Sequence, residues 1–133
     1  MKLLINVLGI ALLSATALNV QAQKCAPMTK EAFGANFIEM MVESSRKACE
    51  IRFSDYKEKY EDLYPKWKLA ASKHLEIYRC DTEKIPADLR KMTSDSEEEM
   101  KKTFHERILK GSEQDAKGLC DSSLQWLRAR PEN

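Results

Sequence analysis

Between Ser54 and Cys80 the apolar residues keep a helical step without a break, with Tyr56, Tyr60, Leu63, Trp67, Ala70, His74 and Ile77 spaced alternately by four and three. Side chains three and four apart share one face of a helix, so these residues form a single stripe. Tyr64, Ala71, Leu75 and Tyr78 widen it, while Lys57, Glu58, Lys59, Glu61, Lys66 and Lys73 occupy the rest of the circumference. A helix this aromatic on one side is stable in water only when that side is covered. The other segments are therefore read as what packs on it. Pro65 falls inside the stripe; its missing N–H and its ring clash cost about 3 kcal/mol in a helix interior. The apolar phase nevertheless runs on from Tyr60 to Trp67, so a kink is expected there rather than a turn. Tyr64, pushed toward extended geometry by the proline, is expected to turn its ring away from the core.

The segments on either side of this stripe also read as helices. Thr29 can cap a helix carrying Glu31 in its first turn. Phe33, Phe37, Met41, Ser44, Ala48 and Ile51 then recur at helical spacing as the expected inward face, with Ile38, Met40 and Cys49 beside them, to about Arg52. From Asp81 to Asp95 the chain changes character: Pro86, the short amphipathic piece Ala87 to Met92 and a Ser/Thr/Asp cluster read as the longest irregular stretch. Ser96 and Glu99 have the spacing of a capping box, with Glu97 and Glu98 beside them. The helix that follows places Met100, Phe104, Ile108 and Leu109 inward. Lys110-Gly111-Ser112 can break it, and Ala116, Leu119, Cys120, Ser123 and Leu127 continue the phase to Pro131. No stretch alternates at period two, so strands are not expected. The fold class is all-α, an antiparallel bundle of three or four helices.

At the N-terminus, Met1 and Lys2 precede an apolar run from Leu3 to Ala17, and Val20-Gln21-Ala22 offers small residues at cleavage spacing. This pattern predicts a signal peptide over 1–22 and a single helical domain over 23–133, beginning at Gln23. The run is short for a membrane anchor, and no cysteine follows the cleavage point as a lipoprotein requires. The chain is thus expected to be exported, periplasmic or secreted, with no membrane attachment after cleavage. All four cysteines lie beyond residue 22, and an even number in an exported chain reads as two disulfides.

Three pairings are open to four cysteines. If the first helix runs up, Cys25 lies at the bottom and Cys49 near the top, and the striped helix returns Cys80 to the bottom. A single helix from Glu97 would then lift Cys120 to the height of Cys49, because both segments rise about equally at about 1.5 Å per residue. The predicted pairs are Cys25–Cys80 and Cys49–Cys120. A hard turn at Gly111 would send Cys120 the other way.

Little in the chain carries chemistry. Loss of Lys2 leaves equal numbers of basic and acidic side chains, which offers no global attraction to nucleic acid or to an anionic membrane. Metal-binding pairs such as C-x-x-C are absent, and His74 and His105 sit in no H-E-x-x-H, so no metal site is expected. Haem would need C-x-x-C-H, or Met40 or Met41 paired with His74 or His105; methionines at core spacing are read as packing, and no cofactor is expected. Neither a nucleophile elbow nor a glycine-rich phosphate loop is present, so the chain reads as a non-enzyme. What remains is binding of a protein partner. Lys84 and Arg90 in the Asp81–Asp95 stretch, with the neighbouring aromatics Tyr64, Tyr78 and Trp126, are the candidate contact residues. An inhibitor or immunity protein acting against an envelope enzyme fits this size and compartment. A haem- or ligand-carrying bundle and an envelope chaperone are the alternatives.

Overall fold

The structure, a computed structural model, describes residues 25–129; the expected signal peptide, its cleavage point before Gln23 and Pro131 lie outside the described residues. Four helices follow one another: α1 (Lys30–Arg52), α2 (Tyr56–Thr82), α3 (Ala87–Lys110) and α4 (Glu113–Arg128), with no strand among the described residues. They run alternately up and down. Antiparallel α1 and α2 are matched by Tyr60 reaching Cys49 and Tyr64 reaching Glu43. The Arg52 guanidinium at the top of α1 donates to the Ile108 and Gly111 carbonyls at 2.6 and 2.8 Å, which fixes α1 and α3 as parallel neighbours. A cation on the last carbonyls of α3 also complements the negative end of that helix.

The architecture has α1 at its centre rather than α2. Helix α1 packs against all three others, whereas α2 and α3 share no substantial interface. This changes which residues of α1 face inward. Phe33 and Ile51, expected inside, are 61% and 64% exposed, and Phe37 is also exposed; Met41 and Ala48 are buried as expected, with Met40 and Cys49 beside them, and Ala32, Ala35, Val42 and Ser45 are buried in addition. The small side chains among these, Ala32, Ala35, Ser45 and Ala48, let neighbouring backbones approach α1 closely. The α2 stripe holds with one shift. Tyr56, Tyr60, Trp67, Ala71 and Leu75 are buried, while Ala70 is exposed. Pro65 sits within a continuous α2, and Tyr64 is not turned out: its ring stacks on Trp67 at 6.3 Å and packs against the core.

The larger correction concerns residues 81–95. They are not an irregular projection, because α2 runs on through Thr82, the connection is residues 83–86, and α3 begins at Ala87. Ser96 and Glu99 therefore lie inside a helix, not at its start. The helix is nucleated one residue after Pro86, whose carbonyl accepts from the Arg90 amide at 2.9 Å. A serine cap is worth about 1 kcal/mol, too little to interrupt a hydrogen-bonded helix supported by the Lys91–Asp95 and Lys101–Glu98 pairs. Of the four residues expected inward on α3, Ile108 is buried and Phe104 half-buried, but Met100 and Leu109 are exposed.

The two disulfides are Cys25–Cys80 and Cys49–Cys120, as the helix heights predict, but by a different path. The chain does turn at Gly111, and α4 descends beside α1. The additional rise of α3, which starts at Ala87, offsets that descent and brings Cys120 to Cys49. At the turn a side chain has no room: a Cβ on Gly111 would stand 2.5 Å from the Arg107 carbonyl oxygen. Ser112 then caps α4 by accepting from the Asp115 amide at 3.1 Å. Around the Cys49–Cys120 staple lies a small polar core. Tyr60, fully buried, shares a hydrogen bond with Ser123, and Tyr56 donates to Asp121.

Candidate functional site

The bottom of the bundle is where α2 ends, α3 begins and the lead-in to α1 is tied down by Cys25–Cys80. Because α2 and α3 diverge from their short connection, a cleft of about 250 Å³ opens between them, lined by Tyr78, Thr82, Ile85, Arg90, Thr93 and Glu97 among others. Two of the sequence-selected residues, Tyr78 and Arg90, thus share one cleft. Lys84 lies in the connection beside it, with its ammonium 3.5 Å from Asp81 and 3.4 Å from the Cys25 carbonyl. Tyr78 is half-buried and its hydroxyl donates to Glu97 at 3.3 Å. Burial, and then the Glu97 carboxylate, raise the phenol above its usual range, so it remains a neutral donor at physiological pH.

The other two selected residues are elsewhere. Tyr64 belongs to the α1–α2 seam. Its hydroxyl donates to Glu43 at 3.0 Å, and the Arg46 and Lys68 cations stand 5.8 and 5.5 Å from its ring. Burial and the Glu43 carboxylate push its phenol up to about 12. With its hydroxyl and ring so engaged, Tyr64 serves the seam. Trp126 is half-buried at the edge of α4, where its ring meets Phe37 edge-on at 6.3 Å.

Sequence reasoning missed the apolar part of this end. Leu89, Met92 and Met100 are 49%, 66% and 45% exposed, and Ile85 adjoins them in the connection. Their helical spacing was visible, but reading a helix start at Ser96 separated Leu89 and Met92 from Met100. Among the described residues no group of three or more His, Cys, Asp or Glu could hold a metal. The His105 ring nitrogen Nδ1 lies 3.1 Å from the Ser44 carbonyl, which seats that ring against α1. No helix among the described residues is long and apolar enough to cross a membrane.

Fold and disulfides together define a small antiparallel four-helix protein with one buried staple and one at its end. Comparison with protein-family models, with curated proteins and with solved structures finds no match.

Proposed function

We propose that this is an exported protein-binding module whose contact surface is the α2–α3 end, working as an inhibitor or immunity protein against an envelope-acting enzyme. The reading is carried by one juxtaposition: a phenol, a guanidinium and an ammonium (Tyr78, Arg90 and Lys84) beside exposed Ile85 on a short, helix-anchored connection. Aromatic and arginine side chains over an apolar patch are the usual anchors of protein interfaces. A rigid support keeps the entropy of ordering such a surface low. Reversing charge at Lys84 and Arg90 together tests it. Partner recovery by the tagged protein from envelope and culture fractions should fall, with the thermal midpoint unchanged. Undiminished recovery would remove this end from consideration and turn attention to Trp126.

The exposed Met92 and Met100 favour a second reading, an envelope chaperone, because flexible thioether side chains suit changing apolar clients. The same capture experiment separates the two: one stoichiometric partner supports the inhibitor, and many substoichiometric ones the chaperone.

A further inference from the structure

Helix α3 carries a second pattern, independent of the cleft. Its face toward α1 is marked by Ile108, Phe104 and Lys101, which are buried or half-buried. At 100° per residue, Leu89, Met92, Ser96 and Met100 fall on one lateral strip, well away from that contact. Along the strip's outer edge stand Asp88, Lys91, Asp95, Glu99 and Lys102, all exposed. Their spacing is three, four, four, three, which is symmetric about Asp95, and their charges are not random with respect to that symmetry.

Suppose a second α3 lies against the strip. In parallel, the same edge falls on opposite sides of the seam, so the five edge residues gain no partner from one another. In antiparallel packing about a two-fold axis near Asp95, Asp88 meets the copy's Lys102 and Lys91 meets the copy's Glu99. Each pair occurs twice, for four opposite-charge pairs against one like pair at Asp95. The apolar strip follows this symmetry to within about one residue, with Leu89 near the copy's Met100 and Met92 near its Ser96. Opposed edges of this kind set partner and orientation in helix pairs. The acidic residues nearer the strip are short, and the lysines farther round are long enough to reach back.

We infer that α3 is a self-association surface and that two copies of this chain pair antiparallel through it, about a two-fold axis at Asp95. Residues 88–102 rise about 22 Å, so the contact is smaller than the roughly 800 Å² per partner of a standard interface, and the dimer is concentration-dependent rather than obligate. Arg90 and Tyr78 face the α2 side, so pairing leaves the cleft open, and the inference does not depend on the function proposed above.

The test is sedimentation of the oxidised chain without residues 1–22, over about 1 μM to about 1 mM, the range in which so small an interface associates. The weight-average mass should rise toward a dimer and fall back with added salt. Lys91→Glu with Lys102→Glu makes the edge uniformly acidic and should leave a monomer throughout. Asp88→Lys with Glu99→Lys should do the same. An equimolar mixture of these two variants should regain the dimer, and so should a chain carrying all four changes. All four sites are exposed, and unchanged far-UV circular dichroism confirms folding. A wild-type chain that stays monomeric, a dimer indifferent to Lys91→Glu and Lys102→Glu, or a mixture that fails to reassociate each overturns the inference.

Discussion

The two disulfides close loops of similar length yet should differ greatly in what they hold. Their sequence separations are 55 for Cys25–Cys80 and 71 for Cys49–Cys120. In the chain-entropy model these loops correspond to about 4.2 and about 4.4 kcal/mol, so the unfolded state alone scarcely distinguishes them. The folded state does. Cys49 and Cys120 are fully buried between α1 and α4, so replacing both with alanine leaves two packed helices that remain ordered without the bond. The full loop term of about 4 kcal/mol is lost, with a cavity contribution in addition. Cys25 instead sits in residues 25–29, ahead of α1 and outside any helix. Without its bond this lead-in frays, and each residue freed returns about 1–2 kcal/mol of backbone entropy to the folded state. Freeing two offsets about half or more of the loop term. The Cys25→Ser, Cys80→Ser variant should therefore lose at least about 2 kcal/mol less than the Cys49→Ala, Cys120→Ala variant. Urea unfolding followed by far-UV circular dichroism measures both. A loss of about 4 kcal/mol corresponds to a thermal midpoint lowered by about 15–30 °C in a domain of this size. Equal losses, or a larger loss for the Cys25/Cys80 variant, would refute the reasoning, because the lead-in would then be as firmly built into the fold as α4.

Gly111→Ala should cost about 1–3 kcal/mol by forcing a Cβ against the Arg107 carbonyl and shifting the turn into α4; thermal denaturation reads it directly. Tyr60→Phe should cost about 1–2 kcal/mol, since the buried Ser123 hydroxyl loses its partner, and a double-mutant cycle with Ser123→Ala should show the two changes to be non-additive. Pro65→Ala, at an exposed site within α2, should raise stability by about 1–3 kcal/mol through the restored helix hydrogen bond, as urea midpoints will show. All four tyrosines have phenols raised above the ordinary value near 10, so folding favours their protonated forms. That stability is present in full below pH 10 and is lost as pH rises through the folded values, which for Tyr64 is about 12. Tyrosinate absorbance should accordingly appear late and together with loss of helical dichroism; an early, separate titration would count against the burial described for these rings.

Much of the architecture was legible in the chain. The α2 stripe identified its helix and nearly all of that helix's buried residues, because a covered helix must keep its apolar side chains on one face. The pairing of Cys25 with Cys80 and of Cys49 with Cys120 followed from counting helical rise, and it survived a wrong path through α3 and α4 because the errors in the two helices were opposite. Tyr78, Lys84 and Arg90 were chosen by type, and the structure places Tyr78 and Arg90 in one cleft with Lys84 beside it. Tyr64, chosen by the same rule, lies away from them in the α1–α2 seam beside Glu43, Arg46 and Lys68, a separation that residue type does not carry.

The tertiary structure alone decided how α1 is oriented and where α3 begins. Periodicity states which side chains share a face, but it does not state which face is covered. In α1 the large apolar Phe33 and Ile51 are exposed, while Ala32, Ala35, Val42 and Ser45 are buried together with Met41 and Ala48. That choice depends on how closely three other helices and a disulfide must approach, which no window of α1 contains. The start of α3 has the same origin. The Ser96 cap is a local preference of about 1 kcal/mol, whereas continuity of the helix from Pro86 is shared among many hydrogen bonds and the contacts of α3 with α1. Local signals of that size are decided by the packing around them, and the packing belongs to the whole chain.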